Sequence, residues 1–164
     1  MDQITPGPGG ERDFRAALAR YATGVTVVTA RSDRGPIGIT ANSFTSVSLD
    51  PPLVLWCPAR ASARFPAFVA ADRYAIHVLA ADQLDLCRRF ARAGEDFSGL
   101  AMTATPEGLP ILPGCLARFD CTAEAVHEGG DHAILVGRVL RASVRKGEPL
   151  LFWDGRYGDF LHHD

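Results

Sequence analysis

The chain has 164 residues, of which 47% are hydrophobic and 22% charged, enough for one buried core and ordinary for a globular protein in water. A net charge of −2 gives no electrostatic case for nucleic acid or an anionic membrane as partner, and no apolar run approaches the ~20 residues of a membrane helix. Residues 1–10 hold neither the basic nor the apolar stretch of a secretory signal. Cys57, Cys87, Cys115 and Cys121 lack C-x-x-C spacing, so the expectation is reduced thiols in the cytoplasm and no zinc site.

In chain order, residues 1–12 read as a flexible arm, Pro- and Gly-rich through 4–10, and residues 13–164 as one domain. Phe14, Ala17, Leu18 and Tyr21 fall on one helical face, with Asp13 as a plausible cap. Residues 25–30 and 37–41 are strands joined by a turn at 32–36. Residues 44–49 alternate, with Phe44, Ser46 and Ser48 on one face and Thr45, Val47 and Leu49 on the other, which predicts a strand. Pro51 and Pro52 end it, because proline has no N–H for the ladder.

A continuous apolar run at 53–57 predicts a strand buried on both faces. Residues 65–71 form a short helix with Pro66 in its first turn, 74–79 a strand, and 83–93 a helix capped by Asp82 and ended at Gly94. Its inward stripe is Leu84, Cys87, Phe90 and Ala91. Residues 94–113 read as a long ordered loop with a short strand at 101–103. Two long strands, 116–127 and 133–144, meet at a 128–131 hairpin loop, and a last pair, 150–153 and 156–160, turns at Asp154-Gly155. So many strands with few helices predict a mainly β barrel carrying short helical insertions.

Small polar side chains between Thr40 and Ser48 let a flat ligand approach the backbone and supply donors and acceptors for a heterocycle. The same pattern also suits an edge strand with a solvated Ser/Thr face. Arg60, Ser62 and Arg64, in a loop running into a helix, concentrate the positive charge and hydroxyls that a phosphate needs. No G-x-G-x-x-G lies between a strand and a helix, so a Rossmann-type dinucleotide domain is excluded, and a nicotinamide cofactor must bind as a passing substrate. His127 and His132 flank the 128–131 hairpin without a third ligand spaced to join them in a metal site.

Residues 24–29, 40–52 and 53–57, then Phe90-Ala91, Gly130-Asp131-His132 and Gly155-Arg156-Tyr157-Gly158, resemble in order and spacing the flavin reductase-like family, small FMN-binding proteins that often serve two-component monooxygenases. The resemblance implies a split β-barrel, Greek-key-like, and a flavin site built from Thr40, Ala41, Asn42, Ser43 and Ser46, with Cys57 after them. It places Arg60 and Ser62 at the flavin phosphate, Phe90 and Ala91 along the flavin, Tyr157 against the site and His132 beside the nicotinamide. Ala63-Arg64 stands where members often carry a second hydroxyl, and Trp153 and Asp154 stand where other residues are more usual.

The implied activity is hydride transfer from NADH or NADPH to FMN or FAD. The implied partners are a flavin-dependent monooxygenase, served by diffusible reduced flavin, and a second copy of the chain in a homodimer. A flavin-storage protein on the same barrel, and a reductase of another small substrate with fixed flavin, are the alternatives.

Overall fold

The computed structural model describes residues 3–161; residues 1–2 and 162–164, the outer ends of the expected arm and domain, lie outside the described residues. Along the chain come helix α1 (Glu11–Leu18), strands β1 (Thr23–Gly24), β2 (Thr26–Ser32), β3 (Gly35–Ala41), β4 (Thr45–Leu49) and β5 (Pro52–Trp56), helix α2 (Phe65–Val69) and strand β6 (Arg73–Val78). A single 3₁₀ turn (Ala81–Gln83) leads into α3 (Leu84–Arg92), followed by β7 (Thr103–Ala104), β8 (Pro110–Ile111), β9 (Ala117–Gly129), β10 (His132–Val144), β11 (Leu151–Trp153) and β12 (Arg156–Gly158).

Seven of these strands form one antiparallel sheet in the order β3-β2-β6-β9-β10-β5-β4. Its two edges, β3 and β4, are consecutive in sequence and joined only by residues 42–44. Four residue steps, Ala41 to Thr45, span at most ~14 Å. The sheet must therefore curl until its edges nearly meet, and the result is a barrel with one open seam. This is the split barrel expected from the sequence.

Both faces of β2 are buried, by different partners. Val28 and Ala30 of β2 face inward with Ile37, Ile39, Val54, Trp56, Tyr74 and Ile76. Val25 and Val27 face outward, against Cys87 and Phe90 of α3 with Leu79, Leu112 and Leu150. That two-sided burial explains the unbroken β-branched run at 25–29. A second sheet, β1-β11-β12, brings the C-terminal hairpin alongside.

The 94–113 segment is fastened by a buried histidine. His77 is fully buried; its Nδ1 lies 3.1 Å from Val27 O, and its Nε2 accepts the Leu112 N–H at 3.2 Å. An accepting Nε2 puts the proton on Nδ1, so the ring is neutral and donates to Val27. Thr29 Oγ1 donates to Pro110 O at 2.7 Å, and Arg141 binds Glu107, completing the attachment.

Several local expectations shift. α1 begins at Glu11 behind Gly10 rather than after Asp13, because the Glu11 carboxylate accepts the Gly9 N–H. No residue of α1 is buried, so the face marked by Phe14, Leu18 and Tyr21 looks outward. A bulge between Ser46 and Ser48 breaks the expected alternation of β4. In β5 only Val54 and Trp56 are buried, while Leu53 and Leu55 are half-buried, so that strand is not covered on both faces. Asp82 lies inside the 3₁₀ turn, and Gln83 Oε1 instead accepts the Ala80 N–H at 3.0 Å. The strand expected at 101–103 forms later, as β7 at Thr103–Ala104, paired with β8. The 128–131 loop tightens to two residues, since Gly129 pairs with His132 and Gly130 adopts φ +72.

His77 gives the fold a pH dependence. Burial, aided by Arg118 and opposed by the Val27 hydrogen bond and Asp120, lowers its pKa from 6.5 to about 4. The unfolded chain binds that proton below pH ~6.5 and the folded chain does not, so stability is full above this range and falls toward pH 4. The slope is about 1.4 kcal/mol per pH unit, or roughly 3 kcal/mol across the window. Urea midpoints measured between pH 7 and pH 4 are expected to fall accordingly. They should fall less steeply in His77→Gln, whose amide keeps both hydrogen-bonding roles without titrating.

Candidate functional site

Ser43, in the connection between the two edge strands, extends the β4–β5 pairing by one step. Its Oγ accepts the Cys57 N–H at 2.9 Å and lies 3.4 Å from Cys57 O, fastening the connection between the edges to the end of β5. Beside that connection a cavity of about 340 Å³ opens. Ile39, Thr40, Ala41 and Asn42 form one wall, and Val25 and Ala91 flank it. Ser62 and Arg64 close one end, and Phe152 and Tyr157 of the C-terminal hairpin form an aromatic side, their ring centroids 5.2 Å apart.

β3 is an edge, so alternate backbone groups of this wall face away from β2. Gly38 shows which ones: its N–H goes to Gly94 O at 2.7 Å and its C=O receives Arg64 Nη1. By the same period of two, the N–H and C=O of Thr40 also point outward. The Thr40 side chain turns toward α3, donating to Cys87 O at 2.7 Å. The site's polar backbone is therefore held by a hydroxyl beneath it.

Arg64 is the other anchor. Its guanidinium donates to Gly38 O (3.1 Å), Phe90 O (2.6 Å) and Ala91 O (3.3 Å). Two of these carbonyls belong to the last turn of α3, where no intrahelical donor is available and a cation is favoured. Three N–H groups are thus used; Nε–H and one Nη2–H remain for a ligand. Partial burial pushes the Arg64 pKa down from its usual value. Gly94 is required beside it: a Cβ there would lie 2.3 Å from Arg64 Cδ and 2.8 Å from Gly38 O.

The residues expected at the site separate into groups. Thr40, Ala41, Asn42, Ser62, Ala91 and Tyr157 line the cavity. Ser43 and Cys57 stand behind its wall as the tie to β5, and burial raises the Cys57 thiol pKa. Ser46 lies exposed on β4 and is not brought to the cavity. Phe90 is fully buried against Gly38, where a Cβ would come within 2.5 Å of its ring, and packs in the outer core.

Arg60 points elsewhere. Its guanidinium pairs with Glu128 and donates to Gly130 O, and its backbone N–H goes to Asp131 O at 2.9 Å. It ties the 58–60 segment to the β9–β10 hairpin rather than entering the cavity. His132 opens β10 in a bridge with Ala59, one strand spacing from the loop that carries Ser62, and does not line the cavity. His132 Nδ1 lies 2.8 Å from Asp131 Oδ1, which fixes the donor on Nδ1 and leaves Nε2 free. The contact holds the Asp131 carboxyl below the usual range.

The neighbouring Cys87 thiol, together with burial, pushes the Tyr157 phenol up to about 12, so it stays neutral. Trp153 and Asp154 tie the same hairpin to the end of α1: Trp153 Nε1 donates to Arg20 O, Asp154 N to Ala19 O, and the Asp154 carboxylate pairs with Arg20. Asp154 (φ +50) and Gly155 (φ +75) make the tight turn between β11 and β12. Val25, Ile39 and Phe152 were not singled out from sequence, because as apolar strand residues they carry only a core signal. Arg64 was visible there as one of several loop arginines. No group of His, Cys, Asp and Glu among the described residues is arranged to hold a metal.

The cavity is apolar along Val25, Ile39 and Phe152, polar along Thr40 and Asn42, and cationic at Arg64. A flat heterocycle with one apolar and one polar edge and an anionic tail, such as a flavin with its phosphate, matches that distribution. The outward Thr40 amide and the two uncommitted Arg64 N–H groups are the features that match it most specifically.

Residues 18–160 match the family described as Flavin reductase like domain. The chain is 57% identical over 155 residues to an FMN reductase (NADH), SmoA, of Agrobacterium fabrum, covering 93% of this chain and 89% of that protein. It is 43% identical over 148 residues to HsaB, the reductase subunit of a flavin-dependent monooxygenase of Rhodococcus jostii, covering 89% and 76%. Among solved structures it is similar to the Streptomyces globisporus NADH:FAD oxidoreductase SgcE6 in complex with NAD and FAD fragments. That likeness has a TM-score of 0.90 at 36% identity and covers 98% of each chain.

The Ser43–Cys57 bond is directly testable. Ser43→Ala leaves the Cys57 N–H without its acceptor and is expected to lower stability by ~1–3 kcal/mol. The exposed Asn42→Ala should stay within ~0.5 kcal/mol. Urea denaturation of the two variants makes the comparison, and equal effects would show that the Ser43–Cys57 bond does not stabilise the connection.

Proposed function

The chain belongs to the flavin reductase-like domain family, and from that premise we propose the following assignment of roles to its residues. It is an NAD(P)H-dependent flavin reductase that supplies reduced flavin to a partner monooxygenase. When bound, the flavin supplies the redox chemistry, taking a hydride at N5 from C4 of the nicotinamide. The protein supplies position and polarity.

The observation that carries the assignment is the open edge of β3 with Arg64 at its end. Thr40 and Asn42 meet the polar edge of the ring system, with Val25, Ile39 and Phe152 against its apolar part. Ser62 and the free N–H groups of Arg64 hold the phosphate, and the ion pair of Arg60 with Glu128 supports Arg64 over Arg60 for that role. Tyr157, neutral, forms the wall that keeps water from one side.

His132 contacts the nicotinamide through Nε2. Asp131 orients its ring, and Arg60 steadies the hairpin on which both sit. A site made chiefly of backbone and small hydroxyls holds the flavin loosely enough to release it after reduction.

The chain works as a homodimer. Support comes from exposed apolar side chains, including Leu49, Val144, Leu18 and Tyr21, more than 50% accessible each, which a second copy would cover. No helix among the described residues is long and apolar enough to cross a membrane. The free thiols of Cys57, Cys87, Cys115 and Cys121 suit the reducing cytoplasm.

The assignment is tested by steady-state oxidation of NADH and NADPH with riboflavin, FMN and FAD, joined to flavin titrations. Arg64→Ala is expected to weaken FMN by several-fold more than riboflavin, since a charge-assisted phosphate contact is worth roughly 1.5–3 kcal/mol. Arg60→Ala should affect both flavins alike. Comparison with riboflavin cancels the fold destabilisation that losing Arg64 also brings. Equal losses for FMN and riboflavin would take Arg64 out of the phosphate site.

His132→Ala should lower kcat/KM for the nicotinamide by ~10- to 100-fold, or ~1.4–2.7 kcal/mol, with flavin affinity kept. His127, two pairs along β9 opposite Ile134, is the control, and His127→Ala should do little. Matching behaviour of the two variants would remove His132 from the reaction.

A further inference from the structure

We infer that Arg20, just past the end of α1, is a positioning residue for the flavin ring. It latches the tip of the β11–β12 hairpin and so sets where Phe152 and Tyr157 stand along the cavity. The inference rests on the flavin reductase reading above.

The hairpin supplies the aromatic side of the cavity, yet its sheet holds it lightly. β12 is an edge strand whose partner is β11 alone, and all three of its residues are exposed. β11 is itself three residues long and pairs on its other side with the two residues of β1. Phe152 and Tyr157 are cross-strand partners, and the next pair along, Trp153 with Arg156, borders the Asp154-Gly155 turn. One ladder step, about 3.4 Å, therefore separates the two rings from the tip, and a tilt of the tip carries both with it.

The exit of α1 fixes that tip. The Asp154 N–H donates to Ala19 O at 3.1 Å, and Trp153 Nε1–H donates to Arg20 O at 3.2 Å. Ala19 is the C-cap of α1, so the helix itself supplies no donor for these carbonyls. Arg20 adds its side chain to both residues: Nη2 donates to Asp154 Oδ1 at 2.8 Å, and the guanidinium carbon lies 5.8 Å from the centre of the Trp153 ring. Only Tyr21 and Ala22 separate Arg20 from Thr23, the β1 residue that pairs with Phe152. One short stretch of chain thus grips β11 twice, at Phe152 through the ladder and at the tip through Arg20. α1 has no buried residue, so this grip is not the by-product of a helix packed into the core. An exposed ion pair adds little to stability, and its consequence here is geometrical: it holds the aromatic wall at one angle to the ring.

Titrations of riboflavin and FMN against the full chain, Arg20→Met, Arg20→Lys, Asp154→Asn and the double variant Arg20→Met with Asp154→Asn test this. The Arg20 side chain is 62% exposed and asparagine tolerates the φ of +50 at position 154, so these variants should fold. Arg20→Met is expected to weaken riboflavin and FMN by the same factor, about three- to tenfold, because the ring contact is altered and the phosphate end is not. Asp154→Asn should weaken both about two- to fivefold, and the double variant no more than Arg20→Met alone, since both changes break one latch. Arg20→Lys keeps the cation and should stay within about twofold of the unaltered chain. Contact with an aromatic ring quenches flavin emission, so riboflavin at saturation should fluoresce more brightly on Arg20→Met than on the unaltered chain or Arg20→Lys.

Unchanged riboflavin affinity in Arg20→Met overturns the inference, as does a double variant whose loss is the product of the two single losses. Arg20→Lys behaving like Arg20→Met overturns it too, and so does a larger loss for FMN than for riboflavin, which would turn Arg20 toward the phosphate. Failure of the reductase reading looks different: the unaltered chain would bind neither flavin and would oxidise no NADH with either.

Discussion

The length of one connection governs this structure. Residues 42–44 join the two edge strands of a seven-stranded sheet, and so short a link forces those edges together. Everything at the site follows from that closure. The outward amides of β3 are left facing a seam instead of another strand, and the seam is where a ligand can use them. Ser43 ties the connection to Cys57 at the end of β5, while its neighbours Thr40 and Asn42 remain beside the cavity. Small polar residues are concentrated here because the backbone must turn tightly, bond to itself across the gap and leave room for a flat ring.

Arg60 and Arg64 show how sharply local carbonyls sort like side chains. They lie four residues apart in one loop. Arg64 finds the bare carbonyls at the end of α3 and the edge carbonyl of Gly38, and so locks helix, loop and edge strand into one wall. Arg60 finds Glu128 and the Gly130 carbonyl and locks the same loop to the hairpin that carries His132. The loop is therefore held at both ends by guanidinium groups, and the hairpin that carries His132 and the Arg64 end of the cavity keep a fixed relation. Gly94 and Gly38 permit the first of these contacts, since a Cβ at either would collide with Arg64 or Phe90.

The outer face of the barrel is covered by α3 and by the long segment after it, and that cover is polar where it is attached. His77, Thr29 and Arg141 reach the segment through hydrogen bonds, two of them to or from its backbone. A long loop without regular structure needs such partners for its buried N–H and C=O groups. By fixing α3 from the outside, this attachment also fixes Ala91 and the Arg64 acceptors inside the site.

Much of this was legible in the chain itself. Alternation and β-branched runs marked the strands, the Gly-Gly-Asp and Asp-Gly turns marked the hairpins, and the order of short motifs marked the family. The Thr40–Asn42 wall, Ser62, Ala91 and Tyr157 were identifiable because small polar residues and motif positions leave a local signal. Other assignments needed distance in space. Phe90 and Ala91 are neighbours in sequence, yet one is core and the other lines the cavity, because the helix face is set by what packs on it. Phe14, Leu18 and Tyr21 have the period of a buried face and remain exposed, since periodicity states that a face is apolar and not that anything covers it. The sequence determined the strands, the turns and the chemistry available at the seam, all of which depend on near neighbours. Only the tertiary structure decided which arginine meets the cavity and which serine ties the edge connection to β5, because their partners lie 14 to 70 residues away.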